Sequence, residues 1–279
     1  MSAFEFEGQR FDLQGAATDV RHGASEKPTF RQVEILAKIR SLGYRGAVVD
    51  IGANTGNHCV FFSRFCEFRR IVAVEGPKDL CEVLRENARH NENAACPIEV
   101  VGAFVSCMRD LYFNDGTKSF PGKWFLTEVP ISPDSTPVRT VTLDELCRDI
   151  RNIDLIRIDT DAHELEVLKS AEETLRRNRP DVWVEIPEGC IAPISCLLER
   201  LGYMRAEWSG TTVRFVHIGT FASSVLGMLR SSPKWLSTRT VWRWRRWMLR
   251  ISSARRRARS RLFALSNRCV SALGGRTSR

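Results

Sequence analysis

Acidic residues are missing from the end of this chain: no aspartate or glutamate occurs from residue 208 to residue 279. That segment holds 16 of the 42 lysines and arginines, which leaves 26 basic and 33 acidic residues, a net charge of −7, in the first 207 residues. The pI of about 9.3 therefore describes the end of the chain and not its body. An argument from charge about binding partners applies to that end alone.

Three further absences narrow the class of protein. The sequence has no apolar run of about 18 residues, which a membrane-spanning helix needs, and no basic start followed by an apolar run, which a secretory signal needs. The nine cysteines include no C-x-x-C pair and do not cluster with the five histidines, so we expect reduced, mostly buried thiols and metal-independent chemistry. We predict a cytoplasmic protein with an N-terminal hairpin extension (1–28), one α/β domain (29–220) and a basic tail (221–279).

The segment VVDIGANTGN, residues 48–57, is followed by IVAVE, which ends at Glu75. This pattern predicts a buried strand, a glycine-bearing turn, a helix and a second strand whose terminal carboxylate can bind both ribose hydroxyls of a nucleotide. The turn is D-x-G-x-x-x-G and not the dinucleotide pattern G-x-G-x-x-G, and its acid suits a cationic ligand better than a pyrophosphate. S-adenosylmethionine, with its sulfonium and ammonium groups, meets this requirement. A glycine-rich turn without a ligand is the alternative, which the position of Glu75 disfavours.

Strands and helices alternate along the rest of the body. Residue spacing predicts a hairpin around Glu7-Gly8, strands at Ala47–Ile51, Ile71–Val74, Ile98–Val105, Asp154–Ile158, Val182–Ile186, Tyr203–Trp208 and Val213–Ile218, and helices at Thr29–Leu42, His58–Cys66, Asp79–His90, Val141–Arg148, Ala162–Arg176 and Pro193–Leu201. Together these predict a doubly wound, Rossmann-like α/β sheet of seven strands that ends in an antiparallel pair. Residues 107–137, with an Asn-Asp-Gly turn and four prolines, predict a hairpin and a long loop over the ligand-binding edge.

From about residue 30 to 218 the chain resembles the FkbM-type S-adenosylmethionine-dependent methyltransferases. The resemblance depends on VVDIGANTGNHCVFFSRF, IVAVEGPKDLCEVLRENARHN, VRTVTLDEL and IDLIRIDTDAHELEVLKSAEETL. It implies the methyltransferase form of the seven-stranded sheet. It also implies methylation, mostly of hydroxyl groups on sugars, polyketides and related products.

The resemblance also assigns residues to a site. The resemblance implies that the methionine part of the cofactor lies against Asp50, Gly52, Asn54 and Gly56. Glu75 would bind the ribose, and Phe104 would lie against the adenine. Asp159, at the end of the fourth strand, would face the methyl group and the acceptor. The family usually has K-I-D-V-E-G at this strand end, whereas this chain has RIDTDA, which ends at Ala162. Because alanine resists a positive φ, the loop after this strand can differ in conformation from that of the family. Acceptor specificity is the property in which we expect this protein to differ from the family.

Methyl transfer to an alcohol requires the protein to position the acceptor and to remove one proton. Asp159 is the first candidate base by position, followed by Asp161 and His163, with Glu185 at the end of the neighbouring strand. A histidine has an ordinary pKa near working pH, although an exposed histidine in a first helical turn is the alternative. Asp161 can equally be a carboxylate favoured by a helix dipole. His58 could touch the ligand, but packing or capping is the commoner role for such a residue.

Within residues 233–265, the apolar positions from Val241 to Leu265 recur at helical intervals, arginines fill much of the rest, and Trp235, Trp242, Trp244 and Trp247 lie in the front half. This composition is typical of an amphipathic helix in a membrane interface, so we predict a C-terminal basic helical extension that attaches the protein peripherally to anionic lipid at the inner face of the membrane. Nucleic acid is the rival partner, because arginine neutralises phosphate and aromatic rings stack on bases. A solvated tail is the third interpretation.

These features predict an S-adenosylmethionine-dependent O-methyltransferase with a small-molecule or glycan hydroxyl acceptor, such as a saccharide, a glycolipid or a related product. The alternatives are a nucleic-acid-binding methyltransferase and a non-catalytic binding protein that uses the arginine-rich tail. The missing glycine at Ala162 favours the non-catalytic alternative, whereas Asp50, Glu75 and Asp159 argue against it.

Overall fold

A computed structural model of the chain describes residues 2–14, 29–115, 124–186 and 190–220. All of these described residues belong to one compact unit. The basic helical extension predicted for residues 221–279 lies outside them, and the domain boundaries stay predictions.

Strands and helices alternate through most of the described residues. In chain order they are β1 (Ser2–Phe6), β2 (Gln9–Leu13), α1 (Val33–Ser41), β3 (Ala47–Ile51), α2 (Asn57–Phe65), β4 (Arg70–Glu75), α3 (Lys78–His90), β5 (Ile98–Gly102), β6 (Phe104–Val105), β7 (Leu111–Asp115), β8 (Trp124–Thr127), β9 (Thr136–Val138), β10 (Thr140–Val141), α4 (Leu143–Leu146), β11 (Ile153–Ile158), α5 (Glu164–Lys169), α6 (Glu172–Asn178), β12 (Asp181–Glu185), α7 (Ile191–Arg200), β13 (Tyr203–Ser209) and β14 (Thr212–His217).

Seven of these strands form the central sheet, in the order β13-β14-β12-β11-β3-β4-β5. β14 pairs antiparallel with both of its neighbours, and the remaining pairs are parallel. The predicted doubly wound sheet of seven strands is therefore confirmed. The chain order reverses at β3, which lies between β4 and β11, and ligands of such sheets bind outside the carboxyl ends of the strands at this point.

Helices cover both faces of the sheet, so its central strands are continuously apolar. All five residues of β3 are buried; Val49 packs into the core on one face and Val48 into the core on the other. The N-terminal hairpin of β1 and β2 packs into the second core, where the rings of Phe11 and Phe30 meet edge to face with centroids 4.9 Å apart. The hairpin also packs on α2, where the Phe6 ring lies 6.0 Å from that of Phe61 and 5.4 Å from that of Phe65 between centroids.

The predicted helix Ala162–Arg176 is wrong, because the chain forms two helices there, α5 and α6. Asp144 accepts the backbone N–H of Glu173 at 3.0 Å and of Thr174 at 2.7 Å. A carboxylate that binds these N–H groups acts as an N-terminal cap and so favours a new helix start. The cap comes from about thirty residues earlier in the chain, where local periodicity cannot reveal it.

The predicted strand Ile98–Val105 is too long. The sheet strand β5 ends at Gly102, and Phe104–Val105 turns away to pair in parallel with β10 in a separate two-stranded sheet. Thr140–Val141, which forms β10, includes the predicted start of a helix, and α4 begins only at Leu143. A capping box formed by Thr142 with the third helical residue defines this start.

Residues 107–137 form, in their described part, a three-stranded antiparallel sheet in the order β8-β7-β9. The predicted hairpin is thus joined by a third strand. Among the described residues, no helix is long and apolar enough to cross a membrane. The eight cysteines there are all free, and only four are fully buried, so the expectation of mostly buried thiols holds for half of them.

Candidate functional site

A cleft lies at the carboxyl ends of β3, β4 and β11 and contains about 990 Å³ of empty space, part of it open to solvent. Its walls come from the loops after these strands, the start of α2, β6 and the three-stranded sheet. Seven of the predicted site residues line it: Gly52, Asn54, Glu75, Phe104, Asp159, Asp161 and His163. Asp50 and Gly56 are not among the lining residues. The predicted cofactor and catalytic residues are thus largely brought together at one place.

The loop between β3 and α2 is tightly enclosed by its neighbours. Gly52 has φ 78° and Gly56 has φ 81°, which is a left-handed conformation that favours glycine. A Cβ on Gly52 would lie 1.9 Å from the carbonyl oxygen of Asp159, and one on Gly56 would lie 2.2 Å from Cδ1 of Leu84. Asn54 is also left-handed, at φ 52°, as asparagine tolerates. The glycines are therefore required by the packing around the turn, which holds its backbone at the edge of the cleft.

Glu75 ends β4 and holds this loop from the other side. Its carboxylate accepts the backbone N–H of Asn54 at 2.7 Å and of Gly76 at 2.9 Å. Burial raises the pKa of Glu75 to about 7, although both hydrogen bonds act in the opposite direction. An ionised carboxylate has about four acceptor positions, so after these two bonds it can still accept hydrogen bonds from a ligand in the cleft.

Phe104 forms an aromatic wall of the cleft next to Glu75. A Cβ on Gly76 would lie 2.3 Å from atoms of the Phe104 ring, so the ring packs directly over the backbone that follows Glu75. The rings of Phe104 and Phe113 lie 5.3 Å apart between centroids, and both line the cleft. A planar apolar group such as a nucleobase can stack on this surface.

Arg157, on β11, joins two of the predicted site residues. Its guanidinium donates to Asp50 Oδ1 at 2.9 Å and to Asp159 Oδ2 at 2.7 Å. Asp50 is fully buried, and its second oxygen accepts a hydrogen bond from the thiol of Cys59 at 3.2 Å. The side chain of Asp159 is 30% exposed and lines the cleft. Asp50 thus lies behind the cleft, and Arg157 connects it to Asp159 in the cleft wall.

Sequence reasoning did not find this ion pair, although a signal was present. Arg157 and Asp50 are direct neighbours in the register between β11 and β3. Each is a charged residue near the carboxyl end of a mostly apolar strand, where a charge is rarely buried unless it is paired. Two such charges of opposite sign on strands that pair would have predicted the bridge.

The loop after β11 takes a left-handed course despite its alanine. Asp161 has φ 48° and Ala162 has φ 78°. The buried carboxylate of Glu164 accepts the backbone N–H of Thr160 at 3.2 Å and of Ala162 at 3.0 Å, and burial raises the pKa of Glu164. These bonds hold the loop in a conformation that glycine would adopt without strain.

We expect Ala162→Gly to stabilise the protein. A left-handed residue other than glycine costs about 1–2 kcal/mol, and the greater flexibility of glycine in the unfolded chain offsets about 0.5–1 kcal/mol of this. The net gain in the free energy of unfolding should be up to about 1 kcal/mol, measured by urea denaturation. Ala88→Gly, within α3, is the matched control and should lose about 1 kcal/mol. A loss of similar size in Ala162→Gly would show that the alanine is not strained.

His163 lies just before α5 and faces Ser106. Its Nε2 is 2.9 Å from Ser106 Oγ, which also accepts the backbone N–H of Met108 at 3.0 Å. Burial lowers the pKa of His163, so its ring is neutral at neutral pH and can accept a proton. Glu185, the other candidate base, is not among the cleft-lining residues; its carboxylate accepts hydrogen bonds from Gln32 at 3.1 Å and from Thr211 at 2.9 Å.

The wall of the cleft near α1 and α2 contains residues that the sequence did not assign: Arg31 and Asn57 line it together with His58. No group of histidine, cysteine, aspartate and glutamate that could hold a metal occurs among the described residues. Metal-independence stays a prediction.

A doubly wound sheet with a glycine loop, a ribose-type carboxylate and an aromatic wall at its switch point is the arrangement of a nucleotide-dependent α/β enzyme. A family model described as the methyltransferase FkbM domain matches residues 50–208, more than half of the chain. The chain belongs to the FkbM methyltransferase family. Its methyltransferase domain uses S-adenosylmethionine as cofactor.

Several solved structures are similar to this chain. Methyltransferase FkbM from Methylobacillus flagellatus KT is 15% identical over 62% of this chain and 43% of its own, with a TM-score of 0.46. Precorrin-6y C5,15-methyltransferase from Geobacter metallireducens GS-15 is 15% identical over 74% of this chain and 97% of its own, with a TM-score of 0.42. M. jannaschii TYW2 in complex with AdoMet is 12% identical over 77% of this chain and 86% of its own, with a TM-score of 0.38.

This chain thus spans less than half the length of the M. flagellatus protein. A comparison with curated proteins finds no match.

Proposed function

We propose that this protein transfers a methyl group from S-adenosylmethionine to a hydroxyl group of a saccharide, a glycolipid or a related product. One observation carries the proposal: Asp159, Asp161 and His163 line the same cleft as the glycine loop and Glu75. A hydroxyl oxygen loses its proton as it is methylated, so a proton acceptor must lie within hydrogen-bond reach of it. Neutral His163 and the two carboxylates are side chains that can do this.

The residues of the cleft fit the cofactor. Glu75 keeps acceptor capacity after its two backbone bonds and suits the ribose hydroxyls, while Phe104 presents a ring to the adenine. Two buried polar atoms of the cleft wall, on Asn57 and His58, lack partners within the described residues, as expected where a polar ligand binds. When bound, S-adenosylmethionine supplies a methyl group on a positively charged sulfur.

The protein's own groups then position the acceptor. Asp159 presents a carboxylate to the cleft, fixed in place by Arg157, and attracts a cationic group or a hydroxyl proton. His163 is fixed by Ser106 and is the better proton acceptor of the two, because Asp159 is already paired with a cation. Asp161 lies on the same loop as Asp159.

The three-stranded sheet adds an apolar part to the cleft wall, which supports an acceptor with an apolar part. Phe113 and Leu126, direct partners in the β7–β8 register, both line it. Beyond β8, Val129 is 64% exposed and Ile131 is 61% exposed. A glycolipid offers both a hydroxyl for the polar wall and an apolar part for this one.

The sequence of residues 233–265 supports the further proposal that the protein attaches peripherally to anionic lipid at the inner face of the membrane. Nucleic acid is the competing partner of the same arginines. Sedimentation with phosphatidylglycerol vesicles, against a gel shift with RNA, tests this for chains with and without residues 233–279. Vesicle binding should be lost with the tail, and binding to RNA alone would contradict membrane attachment.

The proposed reaction is tested by transfer of a labelled methyl group from S-adenosylmethionine. The protein is incubated with glycolipids and free saccharides, and the product is treated with base, which cleaves methyl esters and leaves methyl ethers intact. We expect a base-stable methyl ether on a glycan. A base-labile label, or a label on nitrogen or carbon, would contradict O-methylation of a hydroxyl.

A further inference from the structure

Two asparagines lie about one helical turn apart on the buried side of α3. Asn87 is fully buried, and Asn91, which directly follows the helix, is 6% exposed. Asparagine is a poor helix former, and a buried amide is unfavourable unless it is hydrogen-bonded. An apolar residue at either position would suit the helix and the core better, so the two amides call for a role other than packing.

Both asparagines bind the backbone of the N-terminal hairpin. Asn87 Oδ1 accepts the backbone N–H of Gln14 at 2.7 Å, and Asn87 Nδ2 donates to the carbonyl oxygen of the same residue at 3.0 Å. Asn91 binds Asp12 in the same way, at 3.3 Å and 2.9 Å. The side chain of Gln14 also donates to Glu86 Oε2 at 2.6 Å. These hydrogen bonds fix the end of β2 to α3.

Asn87 also reaches the glycine loop, residues 52–56 between β3 and α2. Its Nδ2 donates to the carbonyl oxygen of Thr55 at 2.7 Å, and Thr55 lines the cleft. The Nδ2 of Asn91 donates instead to the carbonyl oxygen of Asn87 at 2.8 Å. One buried amide therefore joins the hairpin to the glycine loop, whereas the other joins the hairpin to α3.

The glycine loop needs support because its conformation is unusual. Asn54 has φ 52°, and a left-handed residue other than glycine persists where its surroundings hold it. Glu75 fixes Asn54 from within the cleft. Asn87, which is not among the cleft-lining residues, fixes Thr55 from outside it. A ligand therefore meets a loop whose shape is already set, which lowers the ordering cost of binding.

We propose that Asn87 is a positioning residue for S-adenosylmethionine: by binding Thr55 and Gln14 at once, it makes the N-terminal hairpin hold the glycine loop in its ligand-binding conformation. The hairpin lies outside residues 50–208, which the family model matches, so this support comes from a part of the chain beyond the matched domain. This role depends on the cofactor and not on the identity of the acceptor. Because coupling between two sites is reciprocal, a bound cofactor should in turn tighten the hairpin.

Asn87→Asp tests the proposal, with Asn91→Asp as the matched control. Each substitution replaces an NH₂ group with a carboxylate oxygen, which repels the carbonyl oxygens that the amide bound. Asn91→Asp leaves the link between the hairpin and the glycine loop in place. The affinity of the full chain for S-adenosylhomocysteine, measured by titration calorimetry, should fall at least about tenfold in Asn87→Asp and less than about twofold in Asn91→Asp. Urea denaturation identifies a temperature at which each variant is folded.

Hydrogen exchange, followed by mass spectrometry, provides a readout that a merely structural role would not change. Without ligand, residues 52–57 should exchange at least about tenfold faster in Asn87→Asp than in the unaltered chain. A saturating concentration of S-adenosylhomocysteine should slow the exchange of residues 2–13 in the unaltered chain and in Asn91→Asp. The same ligand should not slow it in Asn87→Asp.

The outcomes separate this inference from cofactor binding itself. An affinity of Asn87→Asp within about twofold of the unaltered chain, or an equal loss in Asn91→Asp, would overturn the inference while leaving cofactor binding intact. Hairpin exchange that S-adenosylhomocysteine does not slow would overturn it as well. If the buried charge unfolds Asn87→Asp, Asn87→Ala and Asn91→Ala remove the same bonds without a charge, and the same differences are expected. If S-adenosylhomocysteine does not bind to the unaltered chain, the cofactor assignment fails and the inference fails with it.

Discussion

Glu75→Gln should weaken the binding of S-adenosylhomocysteine by roughly tenfold to a hundredfold, because a hydrogen bond to a charged group contributes about 1.5–3 kcal/mol. The substitution keeps the size of the side chain but removes the carboxylate that the ribose hydroxyls would use. Titration calorimetry at pH 8 measures the change. Glu99→Gln is the matched control, because Glu99 is half-exposed and paired with Arg70 away from the cleft. This variant should bind S-adenosylhomocysteine with the affinity of the unaltered chain.

The pH dependence of binding provides a second signature of Glu75. Its pKa of about 7 in the free protein means that the carboxyl group is largely protonated below pH 7 and ionised above it. Since the ionised form is the one that accepts two ribose hydroxyls, affinity should fall by up to about tenfold for each pH unit below pH 7. In Glu75→Gln the affinity should not vary over this range. The same slope in both proteins would assign the titration to another group.

The same raised pKa bears on stability. An acid whose pKa is higher in the folded than in the unfolded protein binds its proton more tightly when folded. The contribution of Glu75 to stability is therefore fully present below pH 4.5 and is lost as the pH rises to about 7. A bound ligand that donates hydrogen bonds to the carboxylate offsets this loss, so cofactor binding should stabilise the protein most above pH 7.

The sheet could be predicted because its strands are buried on both faces. Ala47–Ile51 and Arg70–Glu75 appear in the sequence as short, mostly apolar runs with an acid at or next to their carboxyl end, and such runs depend on local composition alone. Glu75 and the glycine loop could be placed for the same reason, since each lies at a fixed distance from a strand end. Apart from β5, the strands of the central sheet were thus found within one residue, whereas α1 begins at Val33, four residues after the predicted start at Thr29.

What the sequence did not reveal depends on contacts between distant residues. The break between α5 and α6 is set by Asp144, and the direction of Phe104 is set by the pairing of β6 with β10. The expected effect of Ala162 on its loop depended on φ preference alone, whereas Glu164 holds that loop by hydrogen bonds. The residues of the cleft wall near α2 were missed because Arg31 and Asn57 come together only through the fold.

Arg157→Met should lower the free energy of unfolding by about 3–5 kcal/mol, because it leaves the fully buried carboxylate of Asp50 without its partner. Asp159 contributes less to this loss, since it is partly exposed and water can solvate it. Urea denaturation measures the change. Arg70→Met is the matched control: its pair with Glu99 is about half-exposed on both sides, and such pairs contribute at most about 1 kcal/mol.

A double variant identifies the cause. If the loss comes from an uncompensated buried charge, Asp50→Asn combined with Arg157→Met should recover part of the stability that Arg157→Met alone loses, because no buried charge then remains on β3. The stability of Arg157→Lys should lie between that of the unaltered protein and that of Arg157→Met, since one ammonium group cannot donate to Asp50 and Asp159 with the fork geometry of a guanidinium. If Arg157→Met costs no more than Arg70→Met, the bridge does not stabilise the fold.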